Sequence, residues 1–185
     1  MRVLREIVRD TLAIARRFHA RPGMRQLAAT VAHDGAQVLA LSRLRAAARR
    51  WHLPGVSGLL RRVQVGLFGV EIANDVELGE GIIFSHTVGI VIGGDSRIGD
   101  GVMFLGSNTI GSIHMDDFPT LGKNVIVGAG ARVLGRVTIG DGAIIGANAV
   151  VVRDVPAGAT AAGVPAVVRV RGDERSGNAS PKPRV

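Results

Sequence analysis

From Ile72 onward an apolar residue returns at every sixth position: Ile72, Leu78 and Phe84, then Ile92, Ile98, Phe104 and Ile110, then Leu121, Val127, Val133, Ile139, Ile145 and Val151. A glycine or another small residue usually follows, as in "LGEGII", "IGDGVM", "LGKNVI", "VGAGAR" and "IGDGAI". Neither a helix of 3.6 residues per turn nor a strand of period two brings every sixth residue to one environment, whereas a coil of short strands and tight turns does. The hexads therefore predict a parallel β-helix. Three of them make one triangular turn, with the apolar residue inside and the small residues at the corners. The chain of 185 residues has 26 glycines but only five Phe, one Trp and no Tyr, so its interior has to be built from Val, Ile, Leu and Ala.

The first third reads differently. In "VLREIVRDTLAIARRF" the apolar residues Val3, Leu4, Ile7, Val8, Leu12 and Ile14 follow helical spacing until "RPG" at 21–23 stops them. "MRQLAATVAH" predicts a second helix, ending near Asp34. Asp34 is the expected cap of a third, which "LPG" at 53–55 closes, and Ser57 the expected cap of a fourth, "GLLRRVQVGLF". The fold class is α+β, with a helical region at 1–69, a β-helix at 70–167 and a disordered tail at 168–185.

Charge divides along the same boundary. Residues 1–70 hold thirteen Arg against Glu6, Asp10 and Asp34, while residues 71–168 hold five basic and ten acidic side chains. A basic third of this kind suits an acidic partner or weak peripheral contact with anionic lipid. Nucleic acid is not expected, because no base-stacking aromatics accompany the arginines. With no cysteine there is no disulfide framework, no thiolate nucleophile and no Cys-based metal site, and the expected compartment is the cytoplasm. Arginines interrupt the apolar pattern at the N-terminus, which excludes a signal-peptide core there.

The hexads are interrupted twice. At "FSHTVGIVIG", Phe84 to Gly93, the period slips by two residues and His86 stands at the slip. Between Ile110 and Leu121, "IGSIHMDDFPTL" puts eleven residues in place of six, and the excess must leave the coil as a loop.

Residues 70–167 resemble the hexapeptide-repeat acyltransferases, and within them serine O-acetyltransferase and its relatives. The segments that carry the likeness are "VEIANDVELGEG", "SHTVGIVIGGDSRIGDGV", "LGKNVIVGAGARVLGRVTIGDGAIIGANAVVVRDVP" and "AAGVPA". The resemblance implies a left-handed β-helix, a homotrimer, and acetyl-CoA as co-substrate in the groove between neighbouring prisms, with no metal. It implies that His86 is the general base for the acceptor hydroxyl, a role suited to an imidazole of pKa about 6.5. Glu71, at the place of the family's acidic residue one coil earlier, becomes the carboxylate that orients it. Ala129 and Ala147 match positions lining the acetyl-CoA groove, and Gly111 and Ser112 match a turn whose amide faces the thioester oxyanion. Ile144 stands where the family often has a lysine near the CoA phosphates, and Arg132, Arg136 or Arg153 are the candidates to replace it.

The acceptor side departs from the family. Ser85 replaces the acidic residue before the histidine, and Asp117 and Phe118 replace a basic residue and a histidine before Pro119, with His114 out of register in the same loop. An amino acid wants an anion for its ammonium and a cation for its carboxylate. The sequence thus favours a sugar or other small alcohol as acceptor, held by Ser85, His114, Asp117 and Phe118, over the alternative, L-serine. Two other classes stay open: a non-catalytic trimeric scaffold, and a zinc enzyme, for which the β-helical part offers only two histidines where three are needed.

Overall fold

The period of six closes into a triangular prism. The computed structural model describes residues 2–170. One face of the prism stacks, in order, β1 (Val70–Ile72), β4 (Ile90–Ile92), β7 (Thr109–Gly111), β10 (Arg132–Leu134) and β13 (Val150–Val151). A second stacks β2 (Glu77–Leu78), β5 (Arg97–Ile98), β8 (Thr120–Leu121) and β11 (Thr138–Ile139). The third stacks β3 (Ile83–Phe84), β6 (Met103–Phe104), β9 (Ile126–Val127), β12 (Ile144–Ile145) and β14 (Thr160–Ala162), then β15 (Val167–Arg169), which pairs antiparallel with β14. All other ladders are parallel, and the coil is left-handed. β15 runs two residues past the boundary read from the sequence, and the rest of the expected disordered tail, 171–185, lies outside the described residues.

Twelve of the thirteen hexad residues are buried, and Leu78 is half-buried. A second inward position, two residues before each, escaped the sequence reading because its residues vary. It holds Ile82, Val102, Val125, Ala131, Val137, Ala143 and Ala149, and the buried polar Ser96 and Asn108. Asn108 meets its cost through both ends of its amide, accepting from Gly106 N–H (3.0 Å) and donating to the Gly128 carbonyl (2.7 Å). Phe84 and Phe104 stack 5.5 Å apart inside the first coils. At the corners backbones almost touch: a Cβ on Gly99 would lie 2.6 Å from Gly122 of the next coil, which excludes any side chain there.

Coil length is not uniform. Val70 stands over Ile90, 20 residues on, Val91 over Thr109 at 18, Thr109 over Arg132 at 23, and Arg132 over Val150 at 18. The two-residue slip and the excess of the 112–119 loop are thus absorbed one coil at a time, at corners, leaving the ladders in register.

Four helices precede the prism: α1 (Arg2–Phe18), α2 (Met24–Ala32), α3 (Asp34–Arg50) and α4 (Pro54–Phe68). Two caps differ from expectation. His33, not Asp34, caps α3, its Nδ1 accepting the Gly35 N–H at 3.1 Å. α4 begins at Pro54, whose fixed φ suits a first helical turn, so Ser57 is buried inside the helix. Asp10 of α1 and Arg43 of α3 clamp these helices to the first coil. Arg43 Nε donates to Asp10 Oδ2 (2.8 Å) and its Nη atoms to the Leu78 and Gly79 carbonyls, while Asp10 Oδ1 accepts Gly81 N–H (2.8 Å). Gly35 lies so close to the third face that a Cβ would sit 2.2 Å from the Phe84 carbonyl oxygen. No helix among the described residues is long and apolar enough to cross a membrane.

Candidate active site

The edge where the third face turns into the first carries the slip. Ser85 continues the ladder, its N–H donating to the Phe104 carbonyl (2.9 Å), and His86 then bends out at the corner, exposed. The chain has to be small beneath it. A Cβ on Gly106 would meet His86 Cβ at 3.1 Å, so glycine lets the histidine seat directly on the coil below. The same edge continues downward through small residues: Gly130 N–H donates to the Gly106 carbonyl (2.9 Å), and Asn148 N–H to the Ala129 carbonyl (2.8 Å), which puts Ala129 and Ala147 in one exposed column under His86. Backbone polar groups beside methyl-sized side chains suit a thin amide-bearing chain laid along the edge.

Glu71 is not stacked on His86. Its fifteen-residue separation suits a coil of eighteen, but the slip lengthens this coil to twenty, so Glu71 stands over Val91 on the first face. Its carboxylate pairs with Arg61 of α4. Among the described residues the His86 ring has no hydrogen-bond partner, and Glu71 is paired with Arg61 and not with the imidazole.

The other interruption lies on a different edge, between the first and second faces. Gly111 ends β7, Ser112 opens the loop, and Arg153 is exposed two residues after β13 on that same edge. The loop side chains named from the sequence are largely occupied. Asp117 Oδ1 accepts the N–H groups of Ile113 (3.0 Å) and His114 (2.8 Å), and the Phe118 ring lies on Gly94, where a Cβ would be 2.1 Å from it. Phe118 is therefore a packing residue of the coil in this structure and not a free platform for a sugar. His114 is exposed at the loop. Within one chain the first face separates this loop, and with it Gly111, Ser112, His114 and Arg153, from His86 and Ser85.

What the structure does bring to His86 comes from the helices. A cavity of about 350 Å³ opens between α1, α2, the start of α3 and the corner, lined on one side by Ser85 and His86 and on the other by His19, Gln26, Thr30 and His33. No acidic side chain lines it, and no three metal-ligating groups among the described residues stand close enough to hold an ion. These four residues, Gln26 and Thr30 on α2 and His19 and His33 just beyond helix ends, were missed by sequence reading. Gln26 and Thr30 share a helix face at i and i+4, but nothing in a helical pattern tells which face meets the prism.

This arrangement has close counterparts. The family profile described as "Bacterial transferase hexapeptide (six repeats)" matches residues 118–153. The serine acetyltransferase of Helicobacter pylori is 37% identical over 72% of this chain and 80% of its own length. The chain belongs to the serine acetyltransferase family. The Synechococcus elongatus serine acetyltransferase is 38% identical over 84% of this chain, which spans 64% of that protein's length. Two solved serine acetyltransferase structures share the whole architecture, helices included. A soybean enzyme complexed with serine superposes with a TM-score of 0.79 at 30% identity, covering 90% of this chain and 69% of the other. A serine acetyltransferase in complex with CoA does so with 0.78 at 32%, also covering 90% and 69%.

Proposed function

We propose that this chain is an acetyl-CoA-dependent O-acetyltransferase with His86 as general base and L-serine as the acceptor. The observation that carries the chemistry is the edge itself, with His86 seated on Gly106 at the head of a column of small residues and open sideways to a cavity of amino-acid size. The pantetheine arm of acetyl-CoA runs along Ala129 and Ala147 and presents its thioester to the corner. The His86 imidazole takes the proton of the acceptor hydroxyl as the oxygen attacks the thioester carbonyl. The tetrahedral oxyanion collapses, the C–S bond breaks, and the imidazolium returns the proton to the departing thiolate, giving the O-acetyl ester and free CoA. Backbone amides such as those at Gly111 and Ser112 are candidates to stabilise the oxyanion.

Gly111, Ser112 and Arg153 lie an edge away from His86, so the reading includes a homotrimer in which the loop edge of one prism faces the His86 edge of the next. It also places the protein in the cytoplasm, where acetyl-CoA is made and used. Glu71 orients His86 once substrate is bound, releasing Arg61.

L-serine is favoured by the relatives described above, which carry that acceptor in their names. This reverses the preference drawn from Ser85, Asp117 and Phe118, two of which are occupied in holding their own loop. One observation keeps a neutral alcohol as the second reading: no carboxylate lines the cavity to meet an ammonium. Thiol release from acetyl-CoA, followed against L-serine, homoserine, amino sugars and neutral sugars, decides between them. A kcat/KM for L-serine above about 10⁴ M⁻¹s⁻¹ supports the first reading. Turnover confined to sugars supports the second, and no thiol release with any acceptor leaves the scaffold.

A further inference from the structure

We propose that His33 is the residue that selects a carboxylate on the acceptor, donating its Nε2–H into the cavity that His86 and Ser85 share. The proposal rests on the acetyltransferase reading above and assigns that site's specificity to the helical third.

Four features lead to it. His33 lines the same cavity as Ser85 and His86. Its ring is doubly employed: as cap of α3 its Nδ1 accepts the Gly35 N–H at 3.1 Å, which requires the lone pair to be on Nδ1 and leaves the neutral ring's proton on Nε2. Tautomer and orientation are thus set by a backbone contact before any ligand arrives. The cap is also fixed in place relative to the corner. Gly35 is pressed against the Phe84 carbonyl, with no room even for a Cβ, and Phe84 is followed by Ser85 and His86 in the chain. A donor on His33 therefore keeps its distance from the catalytic edge, which is what positioning an acceptor hydroxyl demands. Finally, the lining is mostly apolar, through Ile14, Phe18, Ile83 and Phe84, and carries no acid, so a carboxylate on the guest meets no like charge there but needs a fixed donor such as His33. His19 lines the same cavity and is exposed, as His33 is, but it makes no side-chain hydrogen bond among the described residues, so nothing fixes its ring.

The test uses His33→Asn in the full-length protein, with L-serine and L-serinamide as acceptors. Asparagine is among the preferred helix caps, so α3 and the melting temperature are retained while the Nε2 donor is lost. The unmutated protein is expected to show a lower KM for L-serine than for L-serinamide. His33→Asn is expected to raise the KM for L-serine about ten- to a hundredfold, the usual worth of a hydrogen bond to a charged group. The KM for L-serinamide and that for acetyl-CoA stay within about twofold, and kcat changes little. An unchanged preference for the carboxylate in His33→Asn overturns the inference and leaves the acetyltransferase reading standing. An equal loss for serine and serinamide also overturns it, since that marks a role in shape and not in charge. If the unmutated protein acetylates neither compound, the L-serine reading falls and the inference with it.

Discussion

The prism and the helical third of this chain are ordered by different interactions. Most hexads of the prism bury two apolar residues and repeat the same corner, so its stability is a sum of similar layers. The helices bury far less: Ile14, Ala15, Val38, Leu39, Ala47 and Ala48 are their buried apolar residues, and they are held to the first coil by the packing of Ile14, Val38 and Leu39, the Asp10–Arg43 clamp, the close approach at Gly35 and further contacts from Arg45, Arg49 and Arg61. The repeat supplies a rigid edge on which His86 and the small-residue column are placed. The docked helices supply the opposite wall of the cavity. A repeat alone makes an edge, and specificity for a small guest needs something set against it.

The largest effect that sharpens this contrast is expected from the core of the prism. Phe104→Ala removes a fully buried ring stacked on Phe84, and a cavity of that size costs about 3–5 kcal/mol. Denaturant unfolding should show the loss with both regions melting together, since the helices have no other platform. Separate survival of the helices would break the comparison.

Asp10→Ala should act on the other region alone. It leaves Arg43, only 16% exposed in its side chain, facing two carbonyls without its carboxylate, and removal of one partner from a buried pair costs roughly 3 kcal/mol or more. Helical ellipticity should then melt before the β-signal, and one unchanged concerted transition would contradict the clamp. His33→Ala, which deletes the α3 cap, should cost about 1 kcal/mol, whereas His33→Asn should cost almost nothing.

The smallest effect concerns the corners of the prism. Asp100 Oδ1 accepts the Glu80 N–H from the coil above, and with Lys123 beside it this holds the carboxyl below the ordinary Asp value of about 3.9. A depressed pKa means stability present above about pH 4 and lost as pH falls through the folded-state value. Melting temperatures between pH 6 and 3 should fall less steeply in Asp100→Asn than in the unmutated protein. Parallel curves would show that this corner contributes nothing.

The sequence exposed the prism because a period of six has one structural solution, and twelve of thirteen positions named from it are buried. The slip that carries His86 was legible for the same reason, as a break in an otherwise regular pattern. The partner assigned to His86 was read less well: a coil of eighteen residues puts Glu71 near His86, but the slip makes that coil twenty, and Glu71 moves over Val91 to pair with Arg61. Asp117 and Phe118 were read as substrate contacts because sequence shows side-chain chemistry and not whether the backbone already uses it. The helical wall of the cavity, with Gln26, Thr30 and His33, left no sequence signal, since tertiary docking alone selects which face of each helix turns inward.

The most direct test of the account is acetyl transfer by His86→Ala. The ring is exposed at a corner and supports no core packing, so folding, thermal stability and acetyl-CoA binding should be unchanged. Turnover of acetyl-CoA with L-serine should fall by about 10² to 10⁴, the usual contribution of a general base. A variant that keeps its rate within threefold of the unmutated protein would remove His86 from the chemistry and with it the assignment of the active site to this edge.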